Sequence, residues 1–134
     1  MPNLERALST LAAAVATSES DFAGTWKNEL GSTMTIEIVG KKTIKGTYET
    51  AVSGGGGALS KHDLNGAIDG NLISFIVNWT DKNAITAWVG QMTGEDAIFT
   101  LWQMTMAVKD PKSEYWESIL AGSDTFSREA KAKG

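Results

Sequence analysis

The chain has no cysteine, two prolines and a single histidine among its 134 residues. Without cysteine there are no disulfides and no thiolate chemistry, and the redox compartment stays open. The lone histidine, His62, leaves little to build a metal site from, so no metal is expected. No run reaches the ~18 apolar residues of a membrane-spanning helix, and no membrane partner is expected. The 12 Lys and Arg are scattered and outnumbered by 16 acidic residues, for a net charge of −4. A groove for phosphate backbones, and with it a nucleic-acid partner, is disfavoured. Enzyme chemistry is equally thin. His62 would have to serve any serine triad, and nothing near it resembles a nucleophile elbow. The SGGGG run at 53–57 has neither the Gly-Lys-Ser/Thr nor the helix of a phosphate loop. Glu114 and Glu117, at helical spacing, read as a solvated pair. A non-enzyme is the expectation.

What remains is ordinary in bulk, with 42% hydrophobic and 21% charged residues, as in a globular domain with one core. Residues 1–21 form an N-terminal extension. Leu4, Leu8, Leu11 and Val15 fall on one face of a helix that Asn3 could cap. The same segment resembles a weak signal peptide, with Arg6 before an apolar stretch and Ala14-Val15-Ala16 as a cleavage pattern. A secreted or periplasmic location follows from that second reading, and a cytoplasmic one stays open.

Over 22–134 the pattern is period two. TWKNEL, STMTIEIV, TIKGTYET, HDLNGAID, NLISFIVNW, AITAWVGQM, AIFTLWQMTM and SILAGSDTFS read as eight strands. Turn chemistry separates them: Leu30-Gly31-Ser32, Gly40-Lys41-Lys42, the glycine run, Asp69-Gly70-Asn71, Thr80 to Asn83, and Thr93 to Asp96. The 107–115 connection is long enough for one helical turn. Short consecutive links favour an all-β, eight-stranded antiparallel up-and-down barrel, which has no open edge. Its interior holds side chains or one small ligand.

Alternation then assigns an inward face. It carries Trp26, Asn28 and Leu30; Ile44, Gly46, Tyr48 and Thr50; Ile73, Phe75, Val77 and Trp79; Thr86, Trp88 and Gly90. The seventh strand adds Ile98, Thr100, Trp102, Met104 and Met106, and the last adds Leu120, Gly122, Asp124 and Phe126. Polar members gather near one end of these faces: Asn28, Tyr48, Thr50, Thr86 and Asp124, with Ser32 just past the first turn. A buried carboxylate is expensive unless hydrogen-bonded. Several strands each placing one polar group among tryptophans predict an apolar pocket with a few placed polar groups.

GTWKNELGST at 24–33, GTYETAV at 46–52, the tryptophan of VNW at 79, TAWVGQ at 86–91, LWQ at 101–103 and WESILAGSDTF at 116–126 together resemble the avidin and streptavidin family of biotin-binding proteins. Streptavidin is itself an eight-stranded barrel that holds one small ligand. The resemblance implies high-affinity, non-catalytic binding of biotin, with no catalytic cofactor. It implies that Asn28, Ser32 and Tyr48 meet the ureido oxygen, that Asp124 accepts one ureido N–H, and that Thr50 accepts the other. Thr86 would face the thioether sulfur, and Trp79, Trp88 and Trp102 would be the walls. Trp116 matches the tryptophan that reaches a neighbouring subunit's site, which implies a homotetramer built as a dimer of dimers. Two departures stand out. Ala84 sits where a serine commonly helps hold the biotin carboxylate. The 51–61 loop offers Ser53 and backbone N–H groups, and its four glycines lose much entropy on ordering, so a lid mobile without ligand is expected. The alternative is a calycin-like carrier of another small apolar ligand, which would need more aliphatic lining and fewer convergent hydroxyls.

Overall fold

Each period-two segment becomes a strand that pairs with its sequence neighbours. The computed structural model describes residues 3–11, 20–51, 61–94 and 96–131. The strands are β1 Gly24–Asn28, β2 Thr33–Ile38, β3 Thr43–Glu49, β4 Lys61–Asp69, β5 Leu72–Trp79, β6 Ala84–Thr93, β7 Ala97–Met106 and β8 Ile119–Lys131. All pairings are antiparallel, and β8 closes onto β1 to complete the barrel. The up-and-down barrel expected from the short links is what forms.

The barrel has two different ends. At one, which we call the floor, β2–β3, β4–β5 and β6–β7 are joined by short turns. At the other, the mouth, lie the β1–β2 turn and the long connections that lead into β4 and β8. The 107–115 connection ends in one turn of 3₁₀ helix, Tyr115–Glu117, slightly later than its sequence pattern indicates.

Inward alternation holds along the strands. Ile36, Ile44, Leu64, Phe75, Val77, Ile98 and Phe126 are buried in one core cluster. Close strand approach explains Gly46, an inward position of β3. A Cβ there would lie 1.8 Å from the carbonyl oxygen of Thr35, so any side chain would force the strands apart.

Two expectations are corrected, and the short N-terminal helix expected from the pattern is present. Leu30 does not go inward: it is 68% exposed, because β1 ends at Asn28 and the turn that follows breaks the alternation. Leu120, at the mouth end of β8, is also exposed. The N-terminal helix α1 is short, Leu4–Ser9, with Asn3 capping it by accepting the Arg6 N–H at 2.8 Å. Leu4, Leu8 and Leu11 are exposed rather than buried against the barrel, and Val15 lies outside the described residues, as does the Ala14–Ala16 pattern.

Candidate functional site

Asn28 ends β1, and its amide is oriented by the turn it closes. Its Oδ1 accepts the backbone N–H groups of Leu30, at 3.0 Å, and Ser32, at 2.9 Å. With the oxygen occupied, the NH₂ faces the interior and donates to the Tyr48 hydroxyl at 3.3 Å. The Ser32 Oγ accepts the Ala51 N–H at 3.0 Å, which leaves its O–H as a donor. Asn28, Ser32 and Tyr48 are all buried. The backbone thus consumes acceptor capacity and leaves a patch with donors to spare.

Tyr48 stays a donor at neutral pH. Burial, and then the charge of Asp124, push its phenol well above the usual range. Its ring stacks on Trp88, with centroids 5.0 Å apart, and meets Trp79 edge-on at 5.7 Å. Phe75 also stacks on Trp88. Trp79 donates from Nε1 to the Thr86 Oγ1 at 2.8 Å, so each fixes the other. Trp102 is half-buried, and Gly122 makes room for its indole: a Cβ there would lie 2.5 Å from the ring.

Asp124 faces this donor patch as an acceptor. Its Oδ2 takes the Trp88 Nε1–H at 2.9 Å, which supplies the bond that a buried carboxylate needs. Burial raises its pKa from the ordinary 3.8, Trp88 works against the rise, and Glu29 adds to it. Glu29 was not apparent from the sequence pattern. It follows Asn28 in the first turn, and its Oε2 accepts the N–H of Thr125, Asp124's chain neighbour, at 3.1 Å. For Glu29 itself burial raises the pKa, but its own backbone N–H, that of Thr125 and Asp124 together lower it. No local motif links residues 29 and 124; only closure of β8 onto β1 does.

The structure therefore brings Asn28, Ser32, Tyr48, Trp79, Thr86, Trp88, Trp102 and Asp124 into the mouth end of one barrel interior. Thr50, half-buried just past β3, lies at the same end. Trp116 does not join them: it lies on the 3₁₀ turn and is 73% exposed. Ser53 and the glycine run lie outside the described residues. Among the described residues, no buried side-chain nitrogen or oxygen lacks a partner. Among them, too, no group of three or more His, Asp or Glu is arranged for a metal ion.

A donor cluster facing a carboxylate between aromatic walls sits in a barrel that known proteins share. A family model, described as the avidin family, matches residues 16–129. Avidin of Gallus gallus is 28% identical over 134 residues, which cover 90% of this chain and 86% of avidin. Among solved structures, Xenavidin matches with a TM-score of 0.72 at 27% identity, over 83% of this chain and 99% of that one. A shwanavidin variant in complex with biotin matches with a TM-score of 0.65 at 31% identity, over 87% and 99%. With most of the chain matched by the family model and the barrel to go with it, the chain belongs to the avidin family.

Proposed function

We propose that the barrel mouth binds biotin, without catalysis, by clasping its ureido group between Asn28, Ser32 and Tyr48 on one side and Asp124 on the other. The observation that carries this is the polarity of the cluster. A cyclic urea presents one carbonyl oxygen flanked by two N–H groups. It needs several donors at one point and acceptors beside it. Asn28 keeps an amide hydrogen, and Ser32 and Tyr48 keep their hydroxyls, for the oxygen. Asp124 accepts one N–H, and Thr50 accepts the other. Donors aimed at one carbonyl oxygen stabilise the negative charge drawn onto it, the physics of an oxyanion hole without a reaction. Trp79, Trp88 and Trp102 supply apolar walls, and Thr86 faces the sulfur. Ser53 belongs to the same proposed set through the loop before β4. The biotin complex of a relative supports the same ligand class.

Assembly belongs to this reading. Outward positions of β5 to β7 leave Leu72, Ile76, Val89, Phe99 and Leu101 exposed, an apolar face of the kind that marks an association site. Together with exposed Trp116 it supports a homotetramer, a dimer of dimers, in which Trp116 completes a neighbour's site. Family membership supports a secreted or periplasmic location.

The test is titration with biotin followed by tryptophan fluorescence, with retention on a biotin column and release by free biotin as a second readout. Three wall tryptophans predict a saturable change at one ligand per chain. An emission spectrum indifferent to biotin, with no retention, would overturn the proposal.

A further inference from the structure

The β1–β8 ladder ends toward the mouth with Asn28 opposite Phe126. The next residues along this seam are Glu29 and Thr125. Here a side chain continues what the backbone leaves off: Oε2 of Glu29 accepts the Thr125 N–H at 3.1 Å. Asp124 is the residue before Thr125, and its carboxyl is within hydrogen-bond reach of Glu29's. Two ionised carboxylates are acceptors only, so the two groups repel unless a proton lies between them. Asp124 is half-buried and Glu29 is exposed. From β6, Trp88 donates to Oδ2 of Asp124 at 2.9 Å. From β7, the Thr100 hydroxyl donates to the Asp124 carbonyl at 2.9 Å. From β3, the Tyr48 phenol feels the negative charge of both carboxyls. Lys27, the cation on β1, is paired with Glu129 of β8 at 3.2 Å. The pair thus stands at the edge of the proposed ureido cluster, with one member inside it and the other outside.

We propose that Glu29 is a positioning residue for ligand binding: it anchors the backbone beside Asp124 and, through a proton held between the two carboxyls, makes a proton and a ureido N–H compete for Asp124. This rests on the reading of the mouth as a biotin site. As pH falls, the first proton taken up by the pair goes to Asp124. Burial raises its affinity for a proton, Trp88 opposes the rise, and Glu29 adds to it. For Glu29, burial acts in the same direction, but its own backbone N–H, that of Thr125 and Asp124 together outweigh it. The protonated Asp124 then donates to the Glu29 carboxylate. It becomes a neutral acceptor, and a hydrogen bond to a neutral acceptor is roughly half as strong as one to a carboxylate. The ligand is therefore held less tightly in acid. By reciprocity, a bound ureido N–H lowers the proton affinity of the pair. Asp124 makes the contact, and Glu29 sets the pH at which the contact weakens.

The experiment measures the affinity of the full chain for biotin amide, whose tail has no carboxyl to titrate, by competition from about pH 7 down to about pH 4, the range in which carboxyls take up protons. Tryptophan emission of the ligand-free chain checks at each pH that the barrel is folded. Wild-type affinity should fall about tenfold across this range, the difference between a charge-assisted and a neutral hydrogen bond. Glu29→Gln keeps an oxygen for the Thr125 N–H and removes the charge. Its affinity at about pH 7 should stay within about twofold of wild type, and its acid fall should begin about one pH unit lower, an ordinary size for a carboxyl shift in a folded protein. Glu29→Ala also removes the acceptor, and should in addition lose about threefold at about pH 7, as for one modest hydrogen bond. Asp124→Asn should show no acid fall. An acid fall at the same pH in wild type and Glu29→Gln, one that persists in Asp124→Asn, or none in wild type would overturn the proposal. A wild type that binds neither biotin nor its amide at about pH 7 overturns the biotin reading instead, so the two failures are distinct.

Discussion

Trp26 and Trp116 mark two opposite uses of one residue type. Trp26, toward the floor, is fully buried. Its Nε1 donates to the Phe22 carbonyl at 2.9 Å, and the Arg128 guanidinium lies 4.2 Å from its ring centroid. Arg128 is in turn anchored to the carbonyls of Asp21 and Ala23 and to the Asp96 carboxylate. Each of these partners is in the same chain. Trp116, on the connection at the mouth, leaves most of its surface to solvent. Between them, the inward faces run from mainly apolar toward the floor to donors and a carboxylate toward the mouth. A barrel can be stable through one end and functional through the other, and substitutions should divide accordingly.

The largest effect is expected at the floor. Trp26→Ala removes a large side chain from a packed site and should cost about 3–5 kcal/mol of stability, read as a lower denaturant midpoint. Where folded chain remains, its affinity for biotin should be nearly native. A variant of native stability with weakened binding would break the division between the ends.

At the mouth, Trp116→Lys should leave the fold intact. Tryptophan is a common hot spot, and its loss should cost about 2 kcal/mol or more at a subunit contact. Light scattering should then report a dimer, and biotin should leave faster. Unchanged mass and off-rate would mean that Trp116 serves no neighbouring subunit.

Asp124→Ala comes next. It leaves a ligand N–H unpaired in a dry site, a loss of about 1–3 kcal/mol in binding, with the barrel still folded. Unchanged affinity would remove Asp124 from the site.

A smaller effect separates the two acidic groups by sign. Asp124's pKa is raised from 3.8 in the folded state. Its favourable contribution is therefore complete below about that pH and is lost as pH rises through the folded value. Asp124→Asn should thus be more stable than wild type near neutral pH, with the gap closing toward pH 3.8. Glu29's is lowered from 4.5, so its contribution is present above that pH and lost as pH falls. Glu29→Gln should be the less stable variant at neutral pH. Thermal melts of both from about pH 3 to about pH 7 check the two signs across the range where carboxylates titrate; the same sign for both would mean that the pair does not share its charge across the β1–β8 seam.

These contrasts also show what the sequence made legible. Period-two alternation is a property of the backbone, so eight strands and the inward direction of Asn28, Tyr48, Thr86 and Asp124 could be read directly. Leu30 could not, because its direction depends on Asn28's amide capturing two backbone N–H groups in the turn. Glu29's place beside Asp124 follows from ring closure between residues far apart in sequence. His62 shares the parity of Leu64 on β4, a signal that was present in the pattern; Asp81, whose Oδ1 lies 3.0 Å from its Nε2, sits in a turn where parity says nothing. The role proposed for Trp116 needs a second chain, and alternation along one chain does not report it.

The smallest effect is expected at the N-terminus, where the same division predicts nearly none at the mouth. α1 leaves its apolar residues in solvent, and every proposed ligand contact lies from Asn28 onward. Residues 20–22, however, are tied to the barrel. The Ser20 N–H donates to the Gly70 carbonyl at 3.0 Å, Asp21 offers its carbonyl to Arg128 at 2.6 Å, and Phe22 is buried beside Trp26. All three contacts belong to the floor. Deleting residues 1–19 should therefore change biotin affinity by less than about twofold and stability by within about 0.5 kcal/mol, as for changes away from packed features. Deleting through Ala23 should lower stability by an amount closer to that of Trp26→Ala, because it strips the partners of both Trp26 and Arg128. Paired melts and titrations of the two truncations locate the start of the folding unit. Lost affinity in the shorter deletion would mean that the extension reaches the mouth after all.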